Sequence, residues 1–543
     1  MVFARRSTTL LAAIIASCAM VLSLTACTSD NKTVVDGQTT VTSNSAGGVA
    51  VFTPSDGITL NQQTPLNKWA KLVPDLAKAL ADAGFKKGDI DRTTSDSLAK
   101  QSRAIQDFVV DHLSNNTTDD SGIAIAPDNM TLLVAPVVEA DASTRQYGDY
   151  VSQNLSTNDA TDGEATSDGE SSEDDSSKDD SSNTESDSTA SDEQAQAVDR
   201  LVSSLKLAKE SGMHVVLLGN SIEGYKPDAF VKFSDAQTIG KLQAEKMVSK
   251  LKLDKASKDN PKYIEVLLPY TAVDEKGNAN DSTFAQEAFR GIWQVLGSYY
   301  QKGVVESPSG TLDGKSTEND WQAVAYDAAK EGSTAKVLDK RLAKTDGQST
   351  LTRIDGIITM NDYIASEVVK ELDDLGYTGS AADINPQITI SGIVGNITGK
   401  KDLSRDAVPD PIKSPENDNA NDSSSSDDDA DEDTSASDKD RDSQWPLVTG
   451  YGAYVSNIPS IVNGKQWMTG MEDRQTIATD IAQACAKLNK DEALNSMPSI
   501  RNSEVGGVKK IPTISEPLLA VSASNLKSAL IDPGYISLAD AGL

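Results

Sequence analysis

Side chains able to do bond chemistry are few in this chain, and they stand in unsuitable company. Neither of the two histidines, His112 and His214, has metal-ligand companions at a useful spacing. Gly219-Asn-Ser221-Ile-Glu223 offers a serine in a strand-to-turn context but lacks the final glycine of a nucleophile elbow. Gly310-Thr-Leu-Asp-Gly314-Lys315-Ser316 is one residue short of a loop that cradles a phosphate. Asp274-Glu-Lys-Gly-Asn-Ala-Asn-Asp281 lacks the ligands and the glycine placement of a calcium loop. Paired carboxylates abound only in polar tracts, where nothing would bury and tune them. Cys485, in Ile481-Ala-Gln-Ala-Cys-Ala-Lys-Leu488, belongs to the apolar face of a helix and reads as a small buried residue. No enzyme, no metal and no cofactor is expected.

The N-terminus speaks of location. Arg5 and Arg6 precede an apolar stretch from Leu10 to Leu24, too short and too interrupted by Ser17 and Ser23 to span a bilayer. It ends in Leu24-Thr25-Ala26-Cys27, which resembles a bacterial lipobox. By that resemblance residues 1–27 are a lipoprotein signal, and Cys27 becomes the lipidated first residue of the mature chain. The working part is then extracytoplasmic, anchored by lipid to the cell membrane. Residues 28–48, rich in Ser, Thr, Asn and Gly, read as a flexible tether.

The net charge of −32 is unevenly spread. Residues 157–193 hold 14 acidic residues against one lysine, and residues 416–442 hold 12 against Lys439 and Arg441. These tracts read as disordered acidic insertions, 157–193 and 416–443, and they leave about −9 for the rest, ordinary for a folded domain. Loose cation binding or spacing in an acidic envelope is their functional alternative. No basic surface able to grip nucleic acid is present.

The elements that must position any site alternate regularly. Strands are expected at 50–53, 131–135, 214–218, 263–268, 354–359 and 388–393. Helices are expected at 66–83, 98–113, 197–209, 284–300, 321–338 and 363–375. Apolar strands separated by helices of ten or more residues predict parallel sheets covered on both faces, and the length calls for two α/β lobes. Both acidic tracts follow a strand, so they are expected to hang from the rim where α/β folds bind ligands.

Several segments, in order, resemble the type I periplasmic binding proteins, and their xylose- and ribose-binding branch in particular. They are Phe230-Val-Lys-Phe-Ser-Asp235 with Gly240-Lys-Leu-Gln243-Ala244, Ala288-Phe289-Arg290-Gly291, Ile354-Asp355-Gly356-Ile-Ile-Thr-Met-Asn361-Asp362, and Ile461-Val-Asn-Gly464-Lys-Gln466-Trp-Met468-Thr469. Val521-Ser-Ala-Ser-Asn525 and Ile531-Asp-Pro-Gly534-Tyr535 close the series. The resemblance implies two doubly wound parallel-sheet lobes joined by three crossover segments. Lobe 1 would span 49–228, lobe 2 229–466, the return to lobe 1 467–510, and the third crossover with the C-terminal segment 511–543. It also implies ligand capture by hinge closure, then docking on ABC permease subunits.

Carried over by position, the ligand-binding candidates are Lys68, Trp69, Asn220, Asp235, Arg290, Asn361, Asp362 and Gln466. Planar amides and carboxylates suit hydroxyl pairs, and an aromatic face suits the apolar side of a sugar ring. Asn361 and Gln466 lead, since each offers donor and acceptor; Asp235 competes as a helix cap. Trp321 leans to the core, and Trp467 is open between core and cleft. Some positions depart from the family. Lys68 replaces an arginine and cannot form its bidentate fork. Asn220-Ser221 replaces an Asp-Arg pair, Val394 an aspartate, and Phe284-Ala285 an Asn-Ala pair. The expected ligand is therefore a small polar molecule of carbohydrate type, but less hydroxylated, larger or more apolar than xylose. The alternative is a degenerate member serving as a surface sensing, adhesion or envelope-interaction lipoprotein.

Overall fold

A computed structural model of the chain describes residues 32–35, 38–41, 46–55, 65–115, 125–138, 145–157, 185–273, 280–343, 350–382 and 444–543. The signal segment, Cys27, the strand expected at 388–393, Val394 and most of both acidic tracts lie outside them. Two compact units are present, Met1–Asn44 and Ser45–Leu543. In the first, β1 (Lys32–Val35) pairs antiparallel with β2 (Gln38–Val41) within the stretch expected to be a plain tether. The β-branched runs there flank Asp36-Gly37, a dipeptide that favours tight hairpin connections.

The second unit holds two main sheets, of seven and four strands, and three two-stranded pairs. In lobe 1, β3 (Gly48–Pro54), β4 (Ile90–Ser95), β5 (Met130–Val134), β7 (His214–Leu218), β9 (Ala229–Lys232) and β18 (Val508–Ser515) run parallel, with β17 (Ile500–Val505) antiparallel at one edge. The order is β17-β18-β9-β7-β5-β3-β4. A short pair, β6 (Asn154–Leu155) with β8 (Ser221–Ile222), lies beside it. Alternation along β3 sends Val49 and Val51 to one face and Ala50 and Phe52 to the other, and all four are buried. Helices α1 (Trp69–Asp82) and α10 (Arg474–Leu488) cover the first face; α2 (Leu98–Asn115) and α3 (Glu185–Glu210) cover the second. The last begins at Glu185, not at the expected residue 197, so the end of the acidic tract forms its opening turns.

Lobe 2 is wound the same way, with order β12-β10-β14-β15 for β10 (Lys262–Val266), β12 (Val305–Glu306), β14 (Gly356–Ile358) and β15 (Leu447–Val448). Its helices α4 (Ala236–Leu251) and α5 (Thr283–Gln301) touch along a glycine contact. A Cβ on Gly240 would stand 2.2 Å from the Ala288 carbonyl oxygen, and one on Gly291 would stand 2.0 Å from that of Gln237. The long helix expected at 321–338 is broken. It becomes α6 (Trp321–Val324), a strand β13 (Ala325–Tyr326) paired with β11 (Leu268–Pro269), and α7 (Ser333–Arg341). Pairing at the sheet edge outweighs the helical spacing there, and Arg341 holds the break by donating to the Val266 and Val324 carbonyls. Helix α8 (Asp362–Leu375) follows β14.

Three segments join the lobes. The chain passes from β9 to α4 through Phe233, Ser234 and Asp235. It returns through β16 (Met468–Met471) to α10, after a short α9 (Ile458–Val462). It crosses again from β18 to β19 (Leu519–Ser522), which pairs antiparallel with β16. A small apolar cluster, including Leu66, Ile458, Met471, Val521 and Tyr535, packs around the crossings. Among the described residues no helix is long and apolar enough to cross a membrane.

Because α4 and α5 meet backbone to backbone at Gly240 and Gly291, Gly291→Val should force them apart. The expected loss is about 3 kcal/mol of stability in urea unfolding, whereas Arg290→Ala beside it should cost under about 0.5 kcal/mol. Equal effects would contradict the close contact.

Candidate functional site

Each sheet has a point where neighbouring strands lead away in opposite directions, the place where α/β folds expose loop ends to ligand. In lobe 1 this lies between β3 and β5, in lobe 2 between β10 and β14. Helix α1 opens after β3, α5 opens after β10 and β11, and Asn361 follows β14. The segment after β5, residues 145–153, spans the two.

This strap is held at both ends. Its Gln146 accepts from Asn361 Nδ2 at 3.1 Å through Oε1, and from the Tyr454 hydroxyl at 2.6 Å through its carbonyl. Tyr147, 1% exposed, joins the lobe 2 core, its ring 4.7 Å from Phe284 and 6.3 Å from Tyr451. Asp149 accepts from Lys68 Nζ at 2.8 Å and from the Trp69 backbone N–H at 3.0 Å. Tyr150, also 1% exposed, joins the lobe 1 core beside Trp69 and Phe233 and donates to the Lys68 carbonyl at 2.6 Å. Between the tyrosines, Gly148 has φ of +94°, and a Cβ there would lie 2.5 Å from the Asn67 carbonyl oxygen. Only glycine allows that turn at that distance.

The structure thus brings Lys68, Trp69 and Asn361 to one locus, together with Phe284, and fills it with the chain's own residues. Gln146, Tyr147, Asp149 and Tyr150 did not emerge from the sequence. Their signal was available: two tyrosines about a Gly-Asp pair, in a polar stretch just past a buried strand. Trp69 is 2% exposed and packs edge-on to Tyr150 and Phe233, so it serves the core more than an open cleft.

Other candidates are engaged elsewhere. Asn220, 3% exposed, donates to the Pro136 carbonyl and accepts from the Gln153 N–H, which ties down the root of the strap. Asp235 caps α4 by accepting from the Thr238 N–H at 2.7 Å, and it pairs with Lys232. Arg290 pairs with Glu287 one turn earlier on α5, its side chain 41% exposed. Trp321 packs edge-on to Tyr270, and Trp467 is 7% exposed in the lobe 2 core.

Asp362 and Gln466 are fully buried and bonded to each other at 2.7 Å. Asp362 also accepts from the Tyr454 N–H and the Thr469 hydroxyl, and Gln466 accepts from Asn457 Nδ2. This network fastens the start of α8 to the approach of β16, and its donors and acceptors are spent internally. A second buried carboxylate, Glu472, follows β16 and accepts from the Ser234 N–H on the first crossing. Burial pushes Asp362 up to about 6 and Glu472 up to about 7, against the pull of their hydrogen-bond donors. Among the described residues no group of three or more His, Cys, Asp or Glu converges as a metal site would.

No protein-family model matches the chain, and no curated protein matches it in sequence. Solved structures similar to it include an ABC transporter solute-binding protein from Clostridium phytofermentans with bound β-D-glucose, at 16% identity over 91% of this chain and 99% of that one, with a TM-score of 0.44. A carbohydrate transporter solute-binding protein from Chloroflexus aurantiacus in complex with D-glucose is 18% identical over 92% and 98%, with a TM-score of 0.43. A periplasmic ribose ABC transporter protein from Conexibacter woesei is 14% identical over 90% and 96%, with a TM-score of 0.42.

Two predictions follow from the buried carboxyls and amides. Both carboxyls titrate higher folded than unfolded, so the folded state holds extra protons between about pH 4 and pH 7. Their contribution to stability is full below that window and is lost as pH rises through it. The parent's melting temperature should therefore fall from pH 5 to pH 8, and Glu472→Gln should remove part of that fall; an unchanged slope would sink the assignment. Gln466→Ala, which strands Asp362 and Asn457, should cost about 2–3 kcal/mol in denaturant unfolding whether or not any ligand is present. The described residues form two doubly wound parallel-sheet lobes joined by three crossings.

Proposed function

We propose that this chain is an extracytoplasmic binding protein, anchored by lipid on Cys27, that captures a small polar solute of carbohydrate type between its lobes for an ABC importer. The observation that carries this is the convergence of an ammonium (Lys68), a helix-terminal N–H (Trp69), a planar amide (Asn361) and an aromatic face (Phe284) from both switch points. Those are the groups that hold a substituted ring in a cleft. Asp362 and Gln466 are spent on each other and Arg290 turns to Glu287, so fewer hydroxyls could be satisfied. That supports a ligand less hydroxylated, or more apolar on one side, than xylose. Lobe closure about the three crossings would give permease subunits a distinct closed form to dock.

A second function is favoured by one feature, the strap seated where ligand would lie. It is a surface sensing, adhesion or envelope-interaction lipoprotein that no longer delivers solute.

Thermal unfolding of residues 28–543 against pentoses, hexoses, oligosaccharides and nucleosides separates the two. A ligand at 100 times its dissociation constant should add roughly 2.7 kcal/mol. Asn361→Ser, which keeps a capping oxygen but loses the amide N–H donor, should abolish the shift. Silence across the panel from a folded protein would turn the assignment to the second function.

A further inference from the structure

The strap shows what chemistry its seat accepts. The Asp149 carboxylate, 2.8 Å from Lys68 Nζ and 3.0 Å from the Trp69 N–H, sits at the opening of a 14-residue helix. A charge pair and a helix N-terminus together favour an anion there. The pair is largely desolvated, with side chains 18% and 20% exposed. Beside it Asn67, 1% exposed, leaves Nδ2 without a partner among the described residues, and the Ser152 hydroxyl on the strap is likewise buried and unbonded. At the other end of the strap, an amide oxygen meets Asn361 and an aromatic ring meets Phe284.

We infer that residues 146–150 are a built-in occupant of the interlobe locus, and that Lys68 with the Trp69 N–H forms an anion subsite, so that the solute which displaces the strap is a carboxylated sugar of the uronic-acid type. The inference rests on the solute-capturing function proposed above and adds the ligand's charge and its competitor. A neutral hexose taking the strap's place would leave a largely desolvated ammonium and a helix terminus without their anion, a cost that a sugar carboxylate avoids. Asn67, whose Oδ1 accepts from the Glu472 N–H, keeps Nδ2 as a donor for a further ligand oxygen. The strap's amide and ring would be replaced by ring hydroxyls on Asn361 and an apolar sugar face on Phe284.

The test compares glucuronate and galacturonate with glucose and galactose by calorimetry at pH 7, on residues 28–543 as parent, Asp149→Asn and Lys68→Met. Asp149→Asn keeps the strap's shape but removes the competing charge. It should tighten uronate binding by at least ten times more than it changes binding of the neutral sugars. Lys68→Met should reduce the preference for a uronate over its neutral counterpart at least tenfold. Should Asp149→Asn fold poorly, Gly148→Ala unseats the strap through its clash with Asn67 and leaves Lys68 and the Trp69 N–H in place, and the same preferential gain for uronates is expected. Neutral sugars and uronates binding equally in every variant would overturn the anion subsite and leave solute capture standing. No sugar binding in the parent or in either strap variant would overturn both.

Discussion

Two parallel sheets that are buried on both faces can meet only at their strand ends, and those ends are crowded with polar groups. Once the lobes close, water leaves, and each donor and acceptor there needs a partner from the protein or a ligand. That constraint organises the middle of this molecule. Asp362 takes three donors, Gln466 is bonded at both ends, and Glu472 accepts from a different crossing. The two carboxylates are held by separate sets of donors: one fastens α8 to the approach of β16, and the other joins two crossings. Burial raises both acids because charge there is poorly solvated, and the donors limit the rise.

The strap meets the same constraint at the strand ends beside Asn361 and α1. It spreads its two tyrosines into different cores, Tyr147 with lobe 2 and Tyr150 with lobe 1. Between them a glycine at positive φ lets the chain lie against the Asn67 carbonyl. Aromatic burial supplies the larger share of its hold, because each such ring removes extensive apolar surface from water. The polar contacts of Gln146 and Asp149 then fix its register on Asn361 and α1.

Much of the fold was legible. Alternating apolar strands and amphipathic helices signalled two α/β lobes, since a parallel strand covered on both faces must be apolar throughout, as in Met130–Val134. The Gly240 and Gly291 motifs carried their own physical reason, a helix contact too close for a Cβ. The position of Asn361 at the end of a strand was visible too. The break after Val324 was not, because pairing of Ala325-Tyr326 with Leu268-Pro269 is a property of the neighbouring strand and not of the local pattern.

What the sequence determined by itself was local: periodicity, caps, close-packing glycines, and the segregation of charge into two tracts. Which polar residues face one another was decided only by the tertiary structure. Asn361 meets Gln146 across 215 positions, and Lys68 meets Asp149 across 81. Such pairings depend on where whole lobes come to rest, and no spacing in the chain encodes them. Residue type marked the groups able to bind, while burial and the partners already present settled which of them remain available.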